Sequence, residues 1–267
     1  MTDHNTPSRV VLGVLGGLGP VASADFVRTV YGHCAGEREQ DFPAVVLHSD
    51  PGFDDRSPAA MDDPQGVLLG RLAEGVAALL AQGCTHVVVA CATLHHLLPR
   101  LEAGLRRRII SVVDVLVAEI AAAGPGPHLL LCSRHARAVG LYERHPLWPA
   151  VRSSVVLPTL AGNRSLHEAI LDIKVNRGHG RARRWITTEI ADRRAASVVA
   201  GCSELHSVAR EWPGRPPAGW IDPFDVIARA AAAHDLTGLS GRLATVHRQA
   251  ERGPDGARAA RSAGPAR

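Results

Sequence analysis

The segment Thr85–Leu97, THVVVACATLHHL, is nearly repeated at Ala196–Val208, ASVVAGCSELHSV, which places Cys91 and Cys202 in equivalent positions 111 residues apart. In both copies an apolar, β-branched run ends in a small residue and a cysteine. A polar stretch follows, with Leu94/Leu205 three residues on and His95/His206 four on. A continuous apolar run of this length, bounded by polar residues, reads as a strand buried on both faces and running into a helix N-terminus. Two such strands, one per half of a duplicated chain, can aim two thiols at one another across a cleft.

The rest of the chain alternates strand and helix signals. Val10–Leu15 is an apolar strand, followed by the turn GGLGP and a helix opening near Pro20. Ala44–His48 is a second strand, and after a polar loop at 49–63 an amphipathic helix is expected over Pro64–Gln82, broken by Gly83. The first cysteine strand is followed by an expected helix over Leu94–Leu105, a strand at Ile109–Val113 and a helix at Val115–Ala123. The break at 124–127 separates the halves. Strand His128–Cys132, a helix near 136–143, a short strand at 155–157 and helices over 165–176 and 181–194 lead into the second cysteine strand. This alternation predicts an α/β fold: two Rossmann-like parallel-sheet subdomains related by a pseudo-twofold axis, with the active site in the cleft between them. The expected subdomains are 9–114 with 221–248, and 115–220. Residues 1–8 and the Arg-, Ala-, Gly- and Pro-rich tail 249–267 are expected to be disordered.

Composition narrows the function classes. A chain of 267 residues can bury a sizeable core. Its mean hydropathy of +0.01 is that of a globular protein, and no apolar run approaches the ~18 residues of a membrane span. The N-terminal MTDHNTPSR lacks a secretory pattern, so a cytoplasmic location is expected. The net charge of +4 invites a nucleic-acid partner, but the basic clusters carry no interleaved aromatic platforms and aromatics make up 4% of the chain. Neither a nucleic acid nor a membrane is therefore expected as partner. Five cysteines without framework spacing argue for free thiols.

The glycine turn Gly17-Leu18-Gly19-Pro20-Val21-Ala22 fits a dinucleotide fingerprint, but the acid expected at the end of a second strand about 20 residues later is missing, since Glu37, Glu39 and Asp41 precede that strand and Ser49 and Asp50 end it. A donor-rich turn that lets a small anionic substrate approach the backbone near Gly17 is the better reading. At the cysteines three readings stand side by side. They are buried structural thiols, a zinc site from Cys91, His95, Cys202 and His206, or a pair of catalytic thiols. For catalysis, a thiol pKa of about 8.5 is lowered at a helix N-terminus, so that one ionised and one protonated thiol serve as base and acid. Lys174 is the single lysine in the chain, a compact charge where arginine is used everywhere else.

An ordered set of motifs, namely LGVLGGLGPVAS, DDRSP at 54–58, ACATLHH at 90–96, VVDV at 112–115, GLY at 140–142, IK at 173–174, GCSEL at 201–205 and IDPFDVIARAA, resembles the aspartate racemase branch of the aspartate/glutamate racemase superfamily. The resemblance implies a cofactor-independent, PLP-independent isomerase in which Cys91 and Cys202 flank the α-carbon of a small acidic amino acid. One thiolate removes the α-proton and the other thiol returns a proton to the opposite face. Arg56 and Lys174 are implied at the substrate side-chain carboxylate. Thr93 and Glu204, two residues after each cysteine, together with Ala92 and Ser203, are implied to tune the thiols or hold substrate. No metal is implied, and a homodimer is common in the family. The chain departs from the family pattern at Ala92, where Asn is usual, at the 132–135 loop, where Ser133, Arg134 and His135 replace a Thr-rich turn, and at Phe53-Asp54-Asp55-Arg56, where the proline of an IPDR pattern is lost. These changes point to a different or larger acidic substrate, to another reaction on a dicarboxylate such as cis–trans isomerisation or decarboxylation, or to a silent ligand-binding module.

Overall fold

The protein is described by a computed structural model, which covers residues 10–53, 62–217 and 219–251. The expected disordered tails and the DDRSP motif lie outside those residues, apart from the end of the last helix. Two sheets, every strand of them parallel, form the frame. The first has the order β2-β1-β3, with β1 Val11–Gly16, β2 Ala44–Ser49 and β3 His86–Val89. The second has the order β5-β4-β6-β7, with β4 His128–Cys132, β5 Val155–Val156, β6 Ser197–Gly201 and β7 Trp220–Ile221. The principal helices are α1 Pro20–Gly32, α2 Val67–Ala81, α3 Val112–Ala123, α4 Leu160–Lys174, α5 His179–Arg193, α6 Ser203–Arg210, α7 Pro223–Ala232 and α8 Leu236–Glu251.

The duplication extends to register. An isolated parallel bridge between Val87 and Ile109 adds a fourth position beside β3. The pair Val198–Trp220, displaced by the same 111 residues, joins β6 to β7. The sequence called for a strand over Ile109–Val113; only the bridge forms, because Ser111 accepts from the amide of Asp114 and caps α3 from Val112 onward. Leu129, Leu130 and Leu131 are fully or almost fully buried, as a strand covered on both faces requires. Leu130 and Val199 face the larger core, which runs through Leu12, Val88, Leu116 and Phe224. Leu131, Val198 and Ala200 face the opposite way, against Ile170, Ile186 and Leu205.

After each cysteine the copies part. Cys202 leads into α6, an α-helix. Cys91 leads into a 3-10 run over Ala92–Arg100 rather than the expected α-helix, followed by one α-turn at Ala103–Arg106. Pro99 inside the run cannot donate an amide and disfavours α geometry at the residue before it. The helices after the fourth positions cross over: α3 packs on β6, and α7 packs on α1.

Candidate active site

The two cysteines sit at equivalent strand exits, Cys91 after β3 and Cys202 after β6, both with extended backbone. They line one small cleft of about 90 Å³ together with Ala92, Thr93, Ser133, His135, Lys174, Ser203 and Glu204. Thr93 Oγ1 lies 3.3 Å from Ser133 Oγ, which joins the loops of the two halves.

Around Cys202 the site is charged. Its thiol donates to Glu204 Oε2 at 2.7 Å, and Ser203 Oγ donates to the same oxygen at 3.2 Å. Glu204 is 1% exposed, and its Oε1 forms an ion pair with Lys174 Nζ at 2.8 Å. Lys174 also donates to the carbonyl of Leu18 at 2.5 Å. Burial penalises the Glu204 carboxylate, but the Lys174 ammonium and the Cys202 thiol outweigh that penalty and hold its pKa below the ordinary value. Burial likewise works against the charge on Lys174, whose pKa is nevertheless raised by Glu204 and by both cleft thiols. Burial pushes the Cys202 thiol well above its ordinary value, and the adjacent carboxylate adds to the shift. The helix N-terminus at Cys202 therefore does not produce the lowered thiol pKa expected from sequence; desolvation and Glu204 dominate.

Gly17 and Gly19 show what the glycine turn is for. Gly17 has φ +87°, and a Cβ there would lie 2.2 Å from the backbone of Asp50. Its amide donates to Ser23 Oγ at 3.3 Å, so it is spent inside the turn, and Gly17 is not among the residues around the cleft. A Cβ on Gly19 would meet Glu204 Oε1 at 2.4 Å. The turn admits the Glu204–Lys174 pair instead of presenting donors to a substrate.

The remaining expected residues divide. His135 lies in the cleft with its ring centroid 4.7 Å from that of His167. Arg134 is exposed and does not line the cleft. Arg56 lies outside the described residues. His95 and His206 take no part in a shared metal site with the thiols. Nε2 of His95 accepts from the amide of Val112 at 3.1 Å and its Nδ1 faces the carbonyl of Cys91 at 3.0 Å. Nδ1 of His206 is 2.7 Å from Asp222 Oδ2 and its Nε2 is 2.8 Å from Thr29 Oγ1. Hydrogen bonds thus occupy both nitrogens of each ring, and the Cys₂His₂ reading gives way. Among the described residues, no group of three or more His, Cys, Asp or Glu is placed to hold a metal ion.

Sequence reading missed His167, Ile170 and Leu171, which form one wall of the cleft. With Lys174 they occupy positions i, i+3, i+4 and i+7 of α4, a single helix face that could have been projected back from the lone lysine. Burial, together with the charges of His135, Arg134 and Lys174, lowers the pKa of His167. Its Nδ1 is buried without a hydrogen-bond partner among the described residues.

A family profile described as Asp/Glu/hydantoin racemase matches residues 15–231. Among solved structures, an aspartate racemase from Picrophilus torridus superposes with a TM-score of 0.70 at 22% identity, covering 85% of this chain and 94% of that one. An aspartate racemase homologue from Pyrococcus horikoshii OT3 gives 0.61 at 17% identity, with 85% and 99% covered. An allantoin racemase from Klebsiella pneumoniae gives 0.52 at 15% identity, with 86% and 89% covered. These likenesses establish a shared fold.

Proposed function

The chain belongs to the Asp/Glu/hydantoin racemase family, and from that premise we propose that it interconverts the enantiomers of aspartate or a closely related acidic amino acid by two-thiol proton transfer. The observation that carries this reading is the meeting of Cys91 and Cys202, from equivalent strands of opposite halves, around one cleft of about 90 Å³. In one direction the Cys91 thiolate takes the α-proton and the carbanion takes the Cys202 proton. The α-carbon is inverted, Cys91 ends as thiol and Cys202 as thiolate. The raised pKa of Cys202 keeps its proton on the thiol in the resting state, as the donor in this direction requires. Glu204, ionised beside Lys174, accepts from that thiol and so orients it in the resting state; turnover in the opposite direction, with Cys202 as base and Cys91 as acid, resets both thiols. Lys174 has three N–H donors, of which Glu204 and the Leu18 carbonyl engage two. The third is available to a substrate carboxylate. The same chemistry needs no cofactor, and a cytoplasmic homodimer acting on this small substrate completes the proposal.

Ala92 favours a second reading. An amide at that position would accept from a substrate ammonium, and a methyl group cannot; a dicarboxylate without an amino group, isomerised or decarboxylated at the same thiols, would not need it. Proton NMR of L- and D-aspartate in D₂O with the purified protein separates the two. Loss of the α-proton signal from both enantiomers is expected. If neither enantiomer exchanges, aspartate racemisation is rejected and dicarboxylates become the substrates to test.

A further inference from the structure

A second cleft, of about 750 Å³, lies behind Cys91 between the segment 95–114 and residues Leu141–Pro146 of the other half. Its interior is apolar: Leu98, Val113 and Leu141 are buried in its wall. Its rim is cationic, carrying Arg100, Arg106, Arg107 and Arg144. The single acid among the lining residues, Asp114, is engaged by His145 at 3.3 Å. Arg100 is held in place by the carbonyls of Asp62 and Asp63 at 3.1 and 3.0 Å. Arg107 and Arg144 have no carboxylate within ion-pair distance among the described residues. Burial lowers the pKa of His96 in the same wall, with Arg144 and Arg100 adding to the shift and Asp62 opposing it.

The duplication supplies an internal control. The counterpart cleft, about 710 Å³ and lined by His206, Arg210, Arg215 and Arg229, has the same placement behind Cys202. There two acids line the cleft: Asp225 pairs with Arg229 at 3.1 Å, and Asp222 bonds His206 at 2.7 Å. Position 222 corresponds to Ser111 in the first copy, so the cleft behind Cys91 lacks that carboxylate, and its guanidinium groups stand where the second copy has none, with Glu211 at the position of Arg100 and Pro217 at that of Arg106. Floor residue His95 is bonded to the carbonyl of Cys91, which puts an occupant one side chain behind the reactive turn.

We propose that the cleft behind Cys91 binds an organic polyanion with an apolar body and two or more phosphate or carboxylate groups, at a site separate from the cysteine cleft. Guanidinium groups pair with such oxyanions bidentately, and an apolar floor of this volume accommodates a ring system. The test is calorimetric titration with inorganic pyrophosphate and with ADP at constant ionic strength, which holds screening fixed. Both probes are expected to bind, ADP at least tenfold more tightly because its nucleoside covers the apolar floor. The double substitution Arg107→Glu/Arg144→Glu is expected to weaken ADP binding at least a hundredfold, whereas Arg215→Glu in the counterpart leaves it unchanged. Saturating aspartate is expected not to displace ADP. The proposal is overturned by absence of binding of either probe, by equal loss from Arg215→Glu, or by competition with aspartate. Pyrophosphate binding as tightly as ADP overturns the apolar-body assignment. Because the readout is binding, failure here is distinct from failure of the racemase reading.

Discussion

The half carrying Cys91 and the half carrying Cys202 share strand order and register, yet they treat the same positions in opposite ways. Two residues after the cysteine, one has Thr93, bonded to Ser133, and the other has Glu204, paired with Lys174. At the histidine, Val112 donates to His95 Nε2, so the proton sits on Nδ1 and the ring is neutral; burial lowers its pKa. Burial also opposes a charge on His206, but the Asp222 carboxylate outweighs it and raises the pKa. At the cap of the next helix, Ser111 stands where Asp222 stands. Backbone pairing tolerates such divergence because it uses no side chains. Side chains set local charge, and here the positions two and four residues after the cysteine are uncharged in one half, at Thr93 and the neutral His95, while the other half carries Glu204 and the His206–Asp222 pair. For the proposed two-thiol transfer, in which one thiol is base and the other acid, that asymmetry is useful.

The comparison is broken most severely at the thiols. Cys91→Ser and Cys202→Ser are each expected to reduce racemisation about 10³-fold or more, since each removes one proton-transferring group; polarimetry of both variants checks this, and full activity in either rejects the two-thiol mechanism. Glu204→Gln, which makes the second half resemble the first, leaves Lys174 facing a neutral amide. It is expected to cost about 3 kcal/mol in urea unfolding, as breaking a buried pair does, and to lower kcat more than KM. Gly19→Ala forces a methyl group against Glu204 Oε1 and is expected to cost about 1–3 kcal/mol by overpacking. A thermal melt would show the loss.

The histidines sharpen the comparison through pH, and their signs are opposite. His206 has a folded pKa above its unfolded value, so its stabilisation is complete below about pH 6.5 and fades as pH rises through the folded value. His95 has a folded pKa below its unfolded value, so its contribution is present above about pH 6.5 and is lost as pH falls. His206→Gln should therefore destabilise more at pH 5 than at pH 9, and His95→Gln more at pH 9 than at pH 5, in urea titrations at both pH values. The same ordering for both variants would contradict the charge assignments. The smallest effect is expected at Tyr142→Phe, which removes the bond to the carbonyl of Gly201 and costs about 1 kcal/mol.

Much of the frame was legible in the chain itself. Runs such as VVLGVLG, THVVVAC and ASVVAGC have the length and β-branched content of buried parallel strands, and the 111-residue spacing of the last two brings Cys91 and Cys202 into correspondence. Lys174 stood out by being alone. The 3-10 run after Cys91 was less legible: Pro99 was visible, but its effect on the preceding turn depends on packing that helical periodicity does not report.

What the sequence determined by itself was the alternation of strand and helix, the duplication, and two thiols at equivalent strand exits, because these follow from short-range patterns of apolar and turn-forming residues. What only the tertiary structure decided was charge and company. Lys174 reaches Leu18 from 156 positions away, Thr29 meets His206 from 177 positions away, and α4 brings His167 to the cleft wall. A pKa is set by burial and by whichever charges lie within a few ångströms. Those neighbours are chosen by the folding of the whole chain, so the raised pKa of Cys202 could not be read from the residues on either side of it.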